Sequence, residues 1–174
     1  MTTSTKTSYA LTFHQIRTYL VAALLVFGNL LLPQLCHLVP QGGATWLPIY
    51  FFTLIGAACY GWRVGILTAL ASPILNSFLF GMPLPQMLPA ILLKSILLAL
   101  IASWATNRYQ RVSLLLLTGI VLGYQMLGFL GEWMLTGSGV IALQDFRLGV
   151  PGMLLQIIGG WWLISYLQRK KFIK

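Results

Sequence analysis

The sequence predicts an all-α integral membrane protein, a single bundle of six transmembrane helices with both termini in the cytoplasm. Composition is the first reason, because 58% of the residues are hydrophobic and only 7% are charged, whereas ordinary soluble domains carry about 25% charged residues. The second is length, since 174 residues leave room for about six spanning helices with short loops. The third is the alternation of basic and uncharged connections, which assigns a side to each helix end.

Among the first three predicted helices, the second and third are bounded by proline and glycine. The first apolar run has no small-residue cleavage pattern after it, so we interpret it as a retained helix and not as a signal peptide. The second helix is short, beginning at Pro48 and ending at Gly61. We expect it to be tilted or to form a hairpin with the third. The third ends before Gly81–Pro85, a loop rich in proline and glycine.

The last three predicted helices are separated by one basic turn and one nearly uncharged loop. The fourth follows Pro85 and ends at the turn formed by residues 107–111, after which the fifth begins. Residues 136–146 lead to the sixth helix, which ends at a basic C-terminal cluster. The complete prediction is one domain, residues 1–174, with helices at roughly 17–37, 47–61, 63–80, 87–106, 112–135 and 148–168.

Basic side chains are confined to alternate connections, which determines the predicted topology. With six crossings, the loops on one face contain only Arg147 as a basic residue, and nine of the eleven basic residues fall on the other face. By the positive-inside rule, that second face and both termini are cytoplasmic. The net charge of +9 therefore reflects topology and contact with anionic lipid, not nucleic-acid binding, which needs a soluble basic face. The nine residues are Lys6, Arg17, Arg63, Arg108, Arg111, Arg169, Lys170, Lys171 and Lys174.

Polar side chains inside the apolar runs are concentrated in the predicted outer half of the membrane. Lys94 is the most unusual, because an ammonium group in hydrocarbon costs several kcal/mol unless it is paired, hydrated or functional. Asn76, Glu132 and Gln156 are expected within about two helical turns of the outer surface. This distribution predicts a pocket that is open to the outside and closed below. A continuous channel would need polar residues throughout its length.

Some of these polar residues also have structural interpretations. Lys94 and Glu132 are candidates for an ion pair between helices, in which case neither needs to contact a ligand. Asn29, Gln125 and Gln156 are candidates for simple interhelical hydrogen-bond partners, and this is the favoured interpretation for Asn29 and Gln125, which lie nearer the middle of the membrane. The sequence shows neither metal-ligand spacing nor a nucleotide-binding motif, so no cofactor is predicted.

Small residues recur every four positions in two places. Ala57, Gly61, Gly65 and Ala69 follow this spacing across the second and third helices, and Gly119–Gly123 repeats it in the fifth. Such positions let helix backbones approach closely. Packing within the bundle is the favoured interpretation, and a surface that docks a partner protein is the alternative.

Residues 47–106 carry a recognisable set of motifs. Leu47-Pro48, Gly61-Trp-Arg-Val-Gly65 and Pro73-Ile-Leu-Asn-Ser-Phe-Leu-Phe-Gly-Met-Pro83 resemble segments of the substrate-binding S components of energy-coupling factor (ECF) vitamin transporters. Length and helix number match that family across nearly the whole chain. The resemblance implies a non-enzymatic binding protein in the cytoplasmic membrane of a bacterium. It would capture a small polar vitamin or precursor at the outer face, for uptake powered through a transmembrane T component and two cytoplasmic ATPases.

The resemblance and the distribution of polar groups together identify candidate contacts. In the family, loops and helices four to six enclose the ligand near the outer face, and a small-residue pattern in helix one, imperfect in this chain, takes part in docking. Relatives often carry an acid near Lys94, an arginine near Asn76 and a histidine near Tyr50, so the usual ligand does not transfer. Lys94 is the first candidate for direct ligand contact. The predicted substrate-binding residues are Lys94, Asn76, Glu132, Gln156, Arg147, Tyr50 and Trp133, and the predicted docking residues are Ala22, Ala23, Gly61, Gly65 and Ala69.

Two other classes of protein fit parts of the pattern. A membrane scaffold of the MreD type, a small multi-spanning protein of cell-shape complexes, would need no polar pocket, and Lys94 would then only pair with Glu132. An intramembrane enzyme is disfavoured, because the sequence shows no His-x-x-x-His set and no convincing Ser/Lys or Asp/Asp dyad. Transport without partner subunits is a weaker variant of the S-component interpretation.

Overall fold

Long apolar helices dominate the computed structural model, which describes residues 11–109 and 112–171. A shorter apolar segment, Pro48–Tyr60, accompanies them. The predicted all-helical architecture is therefore confirmed, with five helices suited by length and composition to crossing a membrane, whereas six crossings and cytoplasmic termini stay predictions. The five helices are Ile16–Cys36, Trp62–Phe80, Leu88–Tyr109, Leu114–Thr136 and Val150–Arg169.

Two of the predicted segments are divided in the structure. The second is a 3₁₀ turn, Pro48–Tyr50, followed by ten residues of α-helix, which extend about 15 Å. The last is one rod in which a π-helical turn, Leu155–Gly159, separates two α-helical parts. In chain order the α-helices are α1 (Ile16–Cys36), α2 (Gly42–Trp46), α3 (Phe51–Tyr60), α4 (Trp62–Phe80), α5 (Leu88–Tyr109), α6 (Leu114–Thr136), α7 (Gly139–Ala142), α8 (Gln144–Leu148), α9 (Val150–Leu154) and α10 (Gly160–Lys171).

Contacts between helix ends show that α1 and α4 run in parallel. The backbone N–H of Leu11, before α1, donates to the carbonyl of Tyr60 at the end of α3, 3.1 Å away. Arg63 in the first turn of α4 donates to the carbonyl of Leu11 at 3.3 Å. The two helices meet again further along, where Asn29 donates to Ser72 at 3.0 Å. Both helices therefore begin at the same end of the bundle.

α5 is antiparallel to α4 and to α6. A Cβ atom on Gly65, near the start of α4, would lie 3.2 Å from the Cβ of Ala99, in the second half of α5. Lys94, in the first half of α5, lies across Gly128 in the second half of α6. The end of α5 and the start of α6 are therefore at the end of the bundle where α1 and α4 begin.

The last rod is antiparallel to α6. Gln156 in the π-helical turn accepts a hydrogen bond from Tyr124 in the middle of α6, and Gly160 faces Leu117 near the start of α6. The rod therefore ends on the side where α1 and α4 begin, which we call the basic end. The basic residues on the described helices at this end are Arg17, Arg63, Arg108, Arg169, Lys170 and Lys171, whereas Lys6, Arg111 and Lys174 lie outside the described residues.

Small residues bring α3, α4 and α5 close together. A Cβ atom on Gly65 would lie 2.7 Å from the Cβ of Ala57, and Ala69 is fully buried one turn further along α4. This arrangement matches the packing interpretation of the first small-residue repeat. The second repeat differs, because no neighbouring atom lies within 4 Å of a Cβ position on Gly119 or Gly123.

Short helices cover the end of the bundle opposite the basic end. Gly152 in α9 packs against the backbone of Trp46, and a Cβ atom on that glycine would lie only 2.5 Å from the Trp46 carbonyl. Gln41 and Leu47, which flank α2, have φ angles of 58° and 46°. Such angles are sparsely populated by residues other than glycine and persist only where the surrounding structure imposes them. The buried position of Leu47 fits that requirement.

Candidate ligand-binding site

Lys94 is buried between α5 and α6, where it forms an ion pair with Glu132. Its aliphatic chain lies across Gly128, because a Cβ atom on that residue would be 2.5 Å from the Cγ of Lys94. Its ammonium group donates to Oε2 of Glu132. The Lys94 side chain is 2% exposed and that of Glu132 is 15% exposed, so the carboxylate lies nearer the surface. The ion pair that the sequence offered as an alternative is confirmed.

A second polar contact joins α6 to the π-helical turn. The hydroxyl group of Tyr124 donates to Oε1 of Gln156 at 3.0 Å, and the rings of Tyr50 and Tyr124 lie 5.6 Å apart between centroids. All three residues are at most 2% exposed. π-helical turns occur frequently at functional sites. This turn places the carboxamide of Gln156 against α6, where its Oε1 is hydrogen-bonded to Tyr124 and its Nε2 has no partner among the described residues.

Several buried polar atoms have no hydrogen-bond partner among residues 11–109 and 112–171. They are Oε1 and Nε2 of Gln125, Nε2 of Gln156, Oγ of Ser95 and Oδ1 of Asn76. Gln125 is distinctive because both halves of its carboxamide are unbonded. The prediction that Gln125 is a simple interhelical hydrogen-bond partner is therefore wrong, since the described neighbouring helices present no matching donor or acceptor to it.

Asn76 belongs to a separate polar cluster between α1, α3 and α4. Its Nδ2 donates to the backbone carbonyls of Asn29 and Ser72, at 2.8 and 3.0 Å. Asn29 donates to the hydroxyl groups of Ser72 and Thr53 and accepts from the N–H of Phe52 at 3.2 Å. Asn29 is thus the interhelical hydrogen-bond partner that the sequence predicts. Only Oδ1 of Asn76 is left for a further contact.

Arg147 and Trp133 lie at the surface of the covered end. Arg147 is exposed on α8, and Trp133 is 49% exposed near the end of α6. The Trp133 ring packs against Phe129, with centroids 5.9 Å apart, and Phe129 also meets the ring of Phe146 on α8. Both predicted contact residues therefore belong to the rim, whereas the other five predicted contacts lie inside the bundle or at its edge.

Tyr124 and Ser95 are buried polar residues that the sequence prediction did not include. Tyrosine is enriched at membrane interfaces, so the position of Tyr124 in the middle of an apolar helix is the signal that could have identified it. Ser95 directly follows Lys94, but serine hydroxyl groups in helices commonly bond to the carbonyl four residues earlier. The sequence alone therefore does not distinguish Ser95 from an ordinary helical serine.

Two open grooves on the outside of the bundle are lined by apolar side chains. One, of about 670 Å³, lies between α5 and α6 and includes Leu93 and Gly131. The other, of about 430 Å³, lies between α1 and α4 and includes Ala22 and Ala23. Neither is lined by a predicted substrate-binding residue, and both have the character of surfaces for lipid or for another transmembrane helix. The other predicted docking residues, which are buried in the bundle, are Gly61, Gly65 and Ala69.

Neither metal ligands nor similarity to a characterised protein assigns a ligand to this site. In the part of the chain that the structure describes, no three histidine, cysteine or acidic side chains lie close enough together to hold a metal ion. Comparison of the chain with family models, curated proteins and solved structures finds no match. The resemblance to S components therefore depends on the sequence motifs and stays a prediction.

Proposed function

We propose that this protein is the substrate-binding membrane subunit of an ECF-type importer, which captures a small polar vitamin or precursor at the outer face. The main support is the incomplete hydrogen bonding of Gln156. Its Oε1 accepts from Tyr124, while its fully buried Nε2 has no partner among the described residues. An unsatisfied buried polar group costs about 1–3 kcal/mol. A ligand that accepts a hydrogen bond from Nε2 removes that cost on binding.

The location of the polar residues also supports this proposal. Lys94 lies in the first half of α5 and Glu132 in the last two turns of α6, both toward the end of the bundle opposite the basic end. By the positive-inside rule, the basic end is cytoplasmic and the covered end faces outward. A ligand from outside then reaches the ion pair and Gln156 without crossing the apolar inner half.

In this proposal the buried residues bind the ligand and the surface residues contact it on entry. Lys94 and Gln156 donate hydrogen bonds, Glu132 accepts them, and the Tyr50 ring provides an apolar face. The T component docks at the groove between α1 and α4, and the two ATPases power uptake from the cytoplasmic side of a bacterial membrane. The remaining proposed contacts are Asn76, Arg147 and Trp133.

The test is direct binding by the purified protein. We expect one compound from a panel of water-soluble vitamins and their precursors to raise the melting temperature and to give a saturable signal in calorimetry. Gln156→Met keeps the side-chain size and removes both the Nε2 donor and the Oε1 that accepts from Tyr124, so it is expected to weaken that binding by about tenfold. Gln15→Met is the matched control, because Gln15 is exposed at the basic end. No stabilisation by any compound, with no co-purifying ATPase, would contradict the proposal.

A membrane scaffold is the second candidate, and the Lys94–Glu132 ion pair favours it. A charge that is already paired needs no ligand, so a scaffold could use the contact only to join α5 to α6. In both classes Lys94→Ala would lower stability because it leaves the Glu132 carboxylate unpaired, and a further Glu132→Ala change would restore it. In a binding protein the stable double variant would nevertheless lose the ligand that wild type binds, whereas a scaffold would bind no ligand in either form.

A further inference from the structure

The carboxamide of Gln125 is a second buried group that lacks partners. The residue is 1% exposed, and neither Nε2 nor Oε1 has a hydrogen-bond partner among residues 11–109 and 112–171. A carboxamide presents a donor and an acceptor side by side in one plane. Gln125 is therefore complementary to a molecule whose edge carries an acceptor next to a donor.

Gln125 lies on the face of α6 that carries the ion pair. Gln125, Gly128 and Glu132 are separated by three and four residues, so they share one face of the helix. Lys94 identifies this face as the one toward α5, because its chain lies across Gly128 and its ammonium group reaches Glu132. Gln125 is therefore about one helical turn deeper than Gly128 along the same interface.

The two charges on this face of the α5–α6 interface, about two helical turns from Gln125, form a neutral pair. Lys94 and Glu132 form a pair of opposite charge, and breaking a buried pair leaves a charge whose burial is no longer compensated. An anionic ligand at Lys94 would bring a second negative charge next to the Glu132 carboxylate, and it could take over the pairing with Lys94 only by leaving that carboxylate unpaired. An uncharged ligand keeps the pair intact and adds hydrogen bonds to groups that lack them.

We propose that Gln125 recognises an uncharged ligand by two parallel hydrogen bonds to the edge of a cyclic amide or cyclic urea. Nε2 of Gln125 donates to the ring carbonyl oxygen, and Oε1 accepts from the adjacent ring N–H. This inference rests on the proposed binding function and specifies the chemical class of the ligand. It also explains why a glutamine is tolerated at this position without a partner among the described residues.

The test compares uncharged probes with acidic counterparts on the purified protein. The pairs are uracil and orotate, and biotinamide and biotin, measured by thermal shift and calorimetry beside the vitamin panel. We expect at least one uncharged probe to bind wild-type protein about tenfold more tightly than its acid. Gln125→Met, which is similar in size and has no donor, is expected to lose about tenfold in affinity for that probe. Gln15→Met is expected to bind it as wild type does.

The ligand-free variant gives an independent measurement. Because Gln125→Met replaces an unsatisfied polar group by an apolar one, we expect its melting temperature to be equal to or above that of wild type. A lower melting temperature, or failure to fold, would show that the carboxamide is structural and would overturn the inference. Tighter binding of the acids, or unchanged binding by Gln125→Met, would also overturn it and leave the proposed function standing. No binding of any probe or vitamin by wild type would contradict both.

Discussion

A lysine inside an apolar helix requires a partner, and here the neighbouring helix supplies one. The chain contains only two acidic residues, and Glu132 is the one within an apolar run, so the Lys94–Glu132 pair could be anticipated from sequence. The contact with Gly128 could not, because it depends on which face of α6 meets α5. That glycine leaves the space that the lysine side chain occupies.

Replacing one member of the ion pair is expected to destabilise the protein more than replacing both members by uncharged residues. Lys94→Met leaves a partly buried carboxylate unpaired, and removing one member of a buried pair costs about 3–5 kcal/mol. We expect a smaller loss here, because Glu132 is 15% exposed. The double variant Lys94→Met/Glu132→Gln is expected to regain most of that loss. Melting temperatures of wild type, Lys94→Met, Glu132→Gln and the double variant in detergent measure this coupling, and purely additive effects would contradict it.

Asn29 and Gln125 look alike in the sequence and behave differently in the structure. Both are amides in the middle of apolar helices, and the same prediction was appropriate for both. Asn29 faces Ser72 and Thr53, whereas Gln125 has no described partner. The outcome depends on which side chains the neighbouring helices rotate toward the amide, and hydropathy does not contain that information.

Asn29→Ala is expected to destabilise the bundle. It removes two side-chain donations and the acceptor for the N–H of Phe52, and a buried group left unsatisfied costs about 1–3 kcal/mol. Asn107→Ala is the control, because Asn107 is exposed and its bond to Ser103 is 3.5 Å long. Thermal unfolding in detergent compares the two, and equal melting temperatures would contradict a structural role for Asn29.

At the scale of helices, the sequence predicts which long helices form and which way they run better than it predicts the geometry within each helix. The long spans begin and end close to the predicted positions because glycine, proline and polar residues bound them. The division of the last span by a π-helical turn, Leu155–Gly159, was not predicted. Such a turn depends on packing rather than on composition, and close contacts at Gly159 and Gly160 with α3 accompany it.

The two small-residue repeats give a matched test of helix packing. Gly65→Ala places a methyl group on α4 that lies 2.7 Å from Ala57 on α3 and 3.2 Å from Ala99 on α5. We therefore expect α3 and α5 to be forced away from α4 and the melting temperature to fall. Gly119→Ala meets nothing within 4 Å and gains helix propensity of about 1 kcal/mol. It is expected to be neutral or stabilising in detergent, and equal destabilisation by both substitutions would contradict this account of the packing.

At the scale of the whole molecule, the helix directions bring together the basic residues at the starts of α1 and α4 and at the end of α5. α1 and α4 begin where α5 and the last rod end, so Arg17, Arg63 and Arg108 share one end of the bundle. The sequence predicted this grouping from six crossings, and the structure produces it although α3 is only ten residues long. The grouping therefore depends on the chain reversing at the α3–α4 turn, where Gly61 has a φ of 92°.

The orientation in the membrane can be measured with two single cysteines in a chain whose Cys36 and Cys59 are replaced by alanine. Tyr109→Cys lies at the exposed end of α5, at the basic end, and Val140→Cys lies on α7, where the native Val140 is 77% exposed. Because 23 residues of α6, about 35 Å of helix, separate the two ends, a membrane-impermeant maleimide should distinguish them in intact bacterial cells. We expect Val140→Cys to react directly and Tyr109→Cys only after permeabilisation, since positive charge is retained in the cytoplasm. The reverse pattern would place the proposed binding site toward the cytoplasm and contradict capture from outside, and labelling of both in intact cells would contradict a membrane crossing by α6.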